Sequence, residues 1–124
     1  MVRMQVQCDF VVTTVWEELA IERLHQSAGF APVPRGIVMR RFFTFVDFLQ
    51  KNGLTTQTIM PSSLLVNEFS ELCRSDLTDE GFTFVAACHG KWLNRMGRDN
   101  GDERERTRLA GWLHQFRLWV QNER

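Results

Sequence analysis

The sequence predicts a helix-dominated α+β domain, with about four helices around a small β-sheet or hairpin. Apolar residues recur at helical spacing in four stretches, and two further stretches carry the strict alternation or the β-branched residues typical of strands. The length of 124 residues is enough for one domain with a hydrophobic core and too short for two. Because the composition is average for a globular protein and no repeat or linker interrupts it, we interpret 1–124 as a single domain.

The first predicted elements are a strand and a helix. Strict alternation predicts a half-buried strand through Val2, Met4, Val6, Cys8, Phe10 and Val12. A helix that begins at Asp9 is the competing interpretation. Thr14-x-x-Glu17 has the form of a capping box and predicts a helix start, and Gly29 is suited to ending that helix. The apolar residues of this helix are Val15, Trp16, Leu19 and Leu24.

The second helix, predicted from Arg35 to Asn52, has the widest apolar surface in the chain. Its apolar residues are Ile37, Val38, Phe42, Phe43, Phe45, Val46, Phe48 and Leu49. Its polar positions form one narrow stripe of Arg40, Thr44, Asp47 and Lys51. A helix that is apolar over most of its circumference must be covered on most sides. We therefore expect it to be central, with Phe45 and Leu49 almost fully buried.

The middle of the chain predicts a hairpin. β-Branched residues favour a strand from Leu54 to Met60, Pro61-Ser62-Ser63 is typical of a turn, and a second short strand is expected within 69–74. We expect these two strands to pair with each other.

Two more helices complete the prediction. Thr78 is a good N-cap for a helix with Phe82, Val85, His89, Trp92, Leu93 and Met96 on one face, and Gly97 ends it. A loop over 98–101 leads to a second capping-box pattern, Asp102-x-x-Glu105. The last helix is expected to bury Leu109, Trp112, Leu113, Phe116 and Val120.

Charge and cysteine content narrow the class of protein. Fifteen basic and fifteen acidic residues give no net attraction for phosphate backbones or anionic lipid, so a nucleic-acid partner is possible but not favoured. The basic stretch 35–55 and the acidic stretch 67–80 are interpreted as solvated faces.

Three cysteines without paired spacing do not indicate a disulfide framework. With no secretory signal and no membrane-length apolar run, we predict a cytoplasmic protein without a membrane partner.

No catalytic, cofactor-binding or metal-binding residues are predicted. The cysteines and histidines form no C-x-x-C or H-x-x-x-H pattern, so no structural metal is expected. Ser62 and Ser63 lack a nucleophile elbow, and the glycines are too scattered to hold a phosphate. Glu17, Glu18 and Glu22 share one helix and could act as paired carboxylates, but we interpret them as solvent-facing charge. An enzyme is therefore not expected.

The last helix carries the candidate binding residues. Trp112, Phe116 and Trp119 lie on or near one stripe, which is either core packing or part of a docking surface. Leu118 lies on the side away from Leu113, and Trp119 lies near the boundary of the buried face. We predict that Leu118 and Trp119 form a protein-binding or self-association surface. The alternative is that the helix is enclosed in the monomer and both residues are buried.

Residues 42–96 resemble part of a winged-helix transcriptional regulator. The matching pieces are the helix end Leu49 to Leu54, the wing candidate Thr55 to Arg74, and the Leu77-Thr78-Asp79-Glu80-Gly81 helix start. The resemblance implies a two-stranded wing and DNA binding. The 42–48 segment is too apolar for a helix that reads base edges, however, and Glu68 and Glu71 would repel phosphates. Our first prediction is therefore a non-enzymatic protein-binding domain of bacterial type, such as a regulator, adaptor or immunity-like protein. A winged-helix-like DNA-binding regulator is the alternative.

Overall fold

A computed structural model describes residues 10–29, 34–94 and 102–122 of the chain. The elements are β1 (Val11–Thr14), α1 (Val15–Ser27), α2 (Arg35–Lys51), β2 (Glu71–Cys73), α3 (Asp79–Asn94) and α4 (Asp102–Asn122), with short 3₁₀ turns at Ser63–Leu65 and Arg74–Asp76. The predicted helix-dominated α+β fold with a small sheet is confirmed. The predicted strand residues before position 10, Met96, Gly97 and the loop over 98–101 lie outside the described residues. Within the described ranges, no helix is both long and apolar enough to cross a membrane.

The sheet has two antiparallel strands, and its pairing differs from the predicted hairpin. β2 pairs with β1, with Thr13 opposite Leu72 and an irregularity between Val11 and Thr13. The competing prediction of a helix from Asp9 is wrong for residues 11–14, which are extended. The expectation that 54–60 pairs with 69–74 is also wrong, since 54–60 holds only an isolated bridge between Thr55 and Leu77.

The side chain of Gln50 explains why 54–60 is not a strand. Its Oε1 accepts hydrogen bonds from the backbone N–H groups of Ile59 (3.0 Å) and Met60 (3.2 Å), and its Nε2 donates to the Met60 carbonyl at 2.6 Å. A single amide therefore satisfies backbone groups that a strand partner would otherwise have to satisfy. Ile59 and Met60 are buried against the end of α2 rather than in a sheet.

The predicted helix starts at Thr14 and Thr78 are confirmed by their hydrogen bonds. The Thr14 hydroxyl accepts from the Glu17 N–H at 2.9 Å, and the Thr78 hydroxyl accepts from the Gly81 N–H at 3.0 Å. Side-chain caps of this kind satisfy backbone donors that have no partner inside the helix. Gly53 ends α2 with a φ of +70°, in the left-handed region that favours glycine.

The end of α2 and the start of α3 meet at one backbone carbonyl. Both the N–H (3.1 Å) and the hydroxyl (3.2 Å) of Thr78 donate to the Leu54 carbonyl oxygen. A Cβ at Gly81 would lie 2.0 Å from that same oxygen, so only glycine permits this approach. We call this junction the Leu54 contact. It fixes α3 against the end of α2 although 24 positions of chain separate Leu54 from Thr78.

The hydrophobic core is built around α2. Phe45 and Leu49 are 1% and 0% exposed, which confirms the prediction that they are central. Other apolar side chains of the core include Phe42, Phe48, Leu54, Ile59, Met60, Leu72, Leu77, Phe84, Val85, Trp92, Leu109 and Leu113. Trp112 and Phe116, predicted to be buried by α4, pack against this core but remain half-buried. Val120, also predicted to be buried, is half-buried as well.

The cysteines correct one prediction. Cys73, in β2, is disulfide-bonded, whereas Cys88, in α3, is a free and buried thiol. Cys8 lies outside the described residues. The expectation of no disulfide is therefore wrong, because sequence spacing cannot reveal a bond between residues brought together only by the fold. Since disulfides persist mainly in oxidising compartments, the cysteines no longer support the cytoplasmic location, which stays a prediction.

Candidate functional site

Helix α1 is turned so that two carboxylates face the interior. Glu18 and Glu22 are 0% and 4% exposed, which corrects the prediction that Glu17, Glu18 and Glu22 all face solvent. Only Glu17 does so. Conversely, Trp16 and Leu24, two of the apolar residues at helical spacing in this helix, are 61% and 68% exposed. The sequence cannot show this orientation because it depends on what the neighbouring helices present to α1.

The groups around Glu18 explain its burial. The Thr13 hydroxyl of β1 donates to Glu18 Oε2 at 3.2 Å, and His89 Nε2 of α3 lies 3.7 Å from the same oxygen. Burial raises the pKa of Glu18 above its ordinary value, and the neighbouring His89, Thr13 and Arg41 oppose that rise. Within the described part of the chain, Glu18 Oε1 has no hydrogen-bond partner. The carboxyl group is thus held in a largely apolar interior by a few polar neighbours.

A second ionic contact in the interior joins α2 to α4. Arg41 Nε lies 3.0 Å from Glu105 Oε2, and both side chains are 1% exposed. The Arg41 guanidinium also lies over the Trp92 ring of α3, 5.1 Å from its centroid. Glu105, which the sequence predicts in a capping box at the start of α4, is therefore part of a buried ion pair. A guanidinium suits such a position because it can stack on an aromatic ring and pair with a carboxylate at once.

We call Thr13, Glu18, Arg41, His89 and Glu105 the interior cluster; its members come from β1 and all four helices. A perturbed carboxyl beside an imidazole is a feature of many active sites, but such groups must also reach a substrate. Glu18 is fully buried, and the two surface pockets described below are not lined by any member of the cluster. Among the described residues, no group of three or more His, Cys, Asp or Glu side chains could hold a metal ion. The cluster therefore connects elements rather than presenting chemistry to a ligand.

The second candidate site is a surface groove between α3 and α4, of about 500 Å³. Its walls are aromatic and consist of Phe84, Trp112, Phe116 and Trp119. Because Ala87 and Cys88 have small side chains, the space between the aromatic walls stays open. Thr83, Gln115 and Lys91 supply the polar groups of the groove. We call this site the α3–α4 groove. It can receive apolar side chains of a size that neither helix could bind alone.

The structure brings one of the two predicted binding residues into the α3–α4 groove. Trp119 lines it and is 57% exposed, with its ring centroid 6.4 Å from that of Phe116. Leu118 is 41% exposed and lies on the adjoining surface of α4. The expectation that Leu118 leaves the core is confirmed, whereas Trp119, expected near the boundary of the buried face, is more than half exposed. Their role in binding stays a prediction.

Two residues set the chemical character of the α3–α4 groove. The Lys91 ammonium lies 5.1 Å from the centroid of the Trp112 ring, which places a positive charge on an aromatic wall. Burial raises the pKa of the Cys88 thiol to about 12, and the charge of Lys91 only partly opposes that rise. The thiol therefore stays protonated at neutral pH and is not a nucleophile. The groove is suited to binding rather than to covalent chemistry.

A second depression, of about 620 Å³, lies between the end of α2 and the first half of α4. Its charges are largely paired: Arg106 Nη1 and Lys51 Nζ lie 2.8 and 3.0 Å from Asp47 Oδ2. Burial alone would raise the pKa of Asp47, but hydrogen bonds from Lys51, Gln50 and Arg106 together hold it below its ordinary value. Because these charges satisfy one another, this depression offers a ligand less than the α3–α4 groove does.

The α3–α4 groove was not predicted from the sequence. Trp112 and Phe116 occur at core-like helical spacing, and the sequence does not reveal that they remain half-buried beside a groove between α3 and α4. The usable signal was the presence of two tryptophans and a phenylalanine on or near one stripe of α4.

Comparison with known proteins does not assign the chain to a family. It matches no known family model, no curated protein sequence and no solved structure.

Proposed function

We propose that this chain is a non-enzymatic protein-binding domain of the regulator, adaptor or immunity type, and that the α3–α4 groove holds an apolar helix face of its partner. The observation that carries the proposal is the aromatic groove with Trp119 exposed at its edge. Tryptophan is enriched among residues that dominate binding energy, and apolar grooves between helices commonly receive amphipathic helices.

The size and polarity of the α3–α4 groove fit this use. A volume of about 500 Å³ lies within the range of ligand pockets and has room for a few side chains. Leu118 extends the apolar surface beyond the groove, so a partner can cover more than the pocket alone. The polar groups at the groove are few, which favours binding through packing with one or two orienting contacts.

The geometry gives less support to the DNA-binding alternative. α2, the helix that the winged-helix resemblance would place in the major groove, is buried at Arg41, Phe42 and over residues 44–49. A recognition helix needs an exposed polar face to reach base edges. Protein binding is therefore the function that the surface supports best.

A displayed library of helix-forming peptides tests the proposal. We expect the wild-type protein to enrich peptides with apolar residues at i, i+4 and i+7 or i+8, and the double variant Leu118→Ser, Trp119→Ser to lose this enrichment. The melting temperature of the variant should change little, because both side chains are more than one-third exposed. His114→Ser, an exposed substitution on α4 outside the groove, is the matched control.

Two results would count against protein binding at this surface. Equal enrichment by the double variant and the wild type would show that the α3–α4 groove is not used. A collapse of the melting temperature in the double variant would place Leu118 and Trp119 among the residues that hold the monomer together. Retention on heparin with release at moderate salt would favour the DNA-binding alternative, because DNA affinity depends on counterion release.

A further inference from the structure

The outward face of α1 carries an apolar surface that is exposed to solvent in the part of the chain that the structure describes. Trp16, Ala20 and Leu24 lie at i, i+4 and i+8 on one side of the helix, and all three are exposed. We call this stripe the α1 ridge. Phe10 and Val11, 60% and 45% exposed, lie close before it in the chain. An exposed tryptophan and leucine on one helix face indicate an interaction surface.

The α1 ridge and the α3–α4 groove have matching lengths. Trp16 and Leu24 are eight residues apart, which is about 12 Å along a helix. The residues that line the groove on α3 run from Thr83 to Lys91, which is the same span, and those on α4 run from Trp112 to Trp119, about 10 Å. An apolar stripe at i, i+4 and i+8 is the pattern by which helices dock into grooves.

The charges beside the two surfaces select one orientation. Lys91 is the only charged side chain among the described residues that line the α3–α4 groove. Glu17, exposed next to Trp16, lies at the N-terminal end of the α1 ridge, and Arg23 is exposed near its C-terminal end. With α1 antiparallel to α3, Glu17 approaches Lys91. The opposite direction would bring Arg23 towards Lys91, and like charges there would be unfavourable.

The other end of α3 agrees with this orientation. The antiparallel arrangement directs Arg23 towards the first turn of α3, which carries the acidic residues Asp79 and Glu80. Each of these carboxylates already has an arginine partner in its own chain, Arg74 and Arg117 respectively. Arg23 would therefore share these carboxylates with Arg74 and Arg117, so its contact with them should be weaker than that between Glu17 and Lys91.

We infer that the partner of the α3–α4 groove is a second copy of this chain, which inserts its α1 ridge with α1 antiparallel to α3. This inference rests on the proposed function of the groove and names its occupant. Ridge and groove are different surfaces, so one contact leaves a free groove on one copy and a free ridge on the other. Such head-to-tail contacts extend to longer assemblies or close into rings. The contact is small, so association should be weak and dependent on concentration.

Two matched arginine variants test the inference. Ala20→Arg blocks the α1 ridge and Ala87→Arg blocks the α3–α4 groove; both alanines are exposed on helices, and arginine is a good helix former. We expect the wild-type mass in sedimentation velocity to rise with concentration. Each variant alone should be monomeric, with a dissociation constant raised at least about tenfold. Ala86→Arg, exposed on α3 but not lining the groove, should behave as the wild type.

Mixing the two blocked variants is the decisive step. The Ala20→Arg copy keeps an intact groove and the Ala87→Arg copy keeps an intact ridge, so an equimolar mixture should form a one-to-one dimer that grows no further. A second pair, Trp16→Ser with Trp119→Ser, repeats the test by removing side chains instead of adding them. The charge reversal Glu17→Lys should weaken association, and adding Lys91→Glu in the same chain should restore it.

The outcomes separate this inference from the proposed function. A wild-type protein that stays monomeric at high concentration, or a mixture that forms no dimer, overturns self-association through α1. If the peptide selection still depends on Trp119 in that case, the groove binds a different protein and only the inference fails. If the selection is also lost, both fail.

Discussion

Helices α1 and α2 bury different sets of side chains in the same small core. α2 presents Phe42, Phe45 and Leu49 to the interior, whereas α1 presents Glu18 and Glu22 and leaves Trp16 outside. The neighbours account for the difference. The interior side of α1 meets His89 and Thr13, with Arg41 close enough to affect the Glu18 carboxyl, and a carboxylate is the side chain that such neighbours stabilise. Burial is therefore decided by the partner surface as well as by the helix's own pattern.

The apolar packing around α2 and the interior cluster should also differ in how they lose stability. Apolar packing around α2 is non-directional, and its loss is proportional to the volume removed. A buried ionic contact contributes little net stability, but removing one partner leaves a desolvated charge without its counter-charge. The stability lost in the apolar region should therefore grow with the volume of the side chain that is removed. The stability lost in the interior cluster should depend on whether one member or both members of an ion pair are removed.

The largest effect should come from truncating α2 in the core. Phe45→Ala should cost about 3–5 kcal/mol of unfolding free energy and Leu49→Ala about 2–5 kcal/mol, because both side chains are almost fully buried. Urea denaturation measures both values. Phe43→Ala, at a half-buried position of the same helix, should cost less. A loss below about 1 kcal/mol for both core variants would mean that α2 is not the centre of the fold.

Breaking the buried ion pair should have an effect of similar size and a different form. Arg41→Met should cost about 3–5 kcal/mol, because it removes the guanidinium that lies 3.0 Å from the buried Glu105 carboxylate. The double change Arg41→Met, Glu105→Leu should regain most of that loss in the same denaturation experiment. Arg35→Met, which breaks an exposed pair with Glu68, should cost only about 0–1 kcal/mol. Additive losses in the double variant would contradict the pairing account.

Reduction of the disulfide at Cys73 should destabilise the protein by about 2–4 kcal/mol, measured by denaturation with and without reductant. β2 carries Cys73 and pairs with β1, which positions the Thr13 hydroxyl beside Glu18. Loosening the sheet should therefore increase hydrogen exchange in α1 before α2. The Cys88→Ser variant should respond to reductant as the wild type does. An unchanged melt on reduction would show that the bond contributes no stability.

The smallest effect should be a change in pH dependence. Because the folded protein raises the pKa of Glu18 above its ordinary value of 4.5, its contribution to stability is present below that value and is lost as pH rises through the folded pKa. Glu18→Gln should reduce this loss, whereas Glu17→Gln, at the exposed neighbour, should leave it unchanged. Thermal melts from pH 4 to pH 8 measure the difference. A Glu18→Gln profile identical to that of the wild type would contradict a raised pKa.

Asp47 should not obscure that measurement. Its pKa lies below the ordinary value of 3.8, so its contribution is present above that pH and is lost only as pH falls through the lower folded value. The two carboxyl groups therefore act in separate pH ranges.

The parts of the fold that the sequence predicts depend on nearby residues. The hydroxyls of Thr14 and Thr78 each accept a hydrogen bond from a backbone N–H three residues further along the chain. The helical period alone places Phe45 inside and Leu118 outside. Each of these follows from a pattern within one or two turns. The fold class follows from the number and type of such elements.

The parts that the sequence does not predict depend on distant residues. The pairing of β2 with β1 joins Thr13 to Leu72, and the inward turn of Glu18 depends on His89. The α3–α4 groove exists only because of the spacing between two helices, so the sequence predicts Trp119 as a binding residue without indicating the pocket that it lines. Each of these features depends on how two elements are placed relative to each other, and the helical or strand period of one element does not indicate that placement.

The Leu54 contact has a consequence for how the chain can change in length. Because one carbonyl fixes the start of α3 to the end of α2, the relative position of these helices does not depend on the surface chain between Pro61 and Ser70. Leu64 and Phe69, 91% and 81% exposed, lie in that stretch. Closing a loop of twice the length costs only about 0.6 kcal/mol more. The exposed turn at residues 63–65 is thus a natural place for insertions, at which the chain could acquire a new recognition loop while Val66 stays packed against the core.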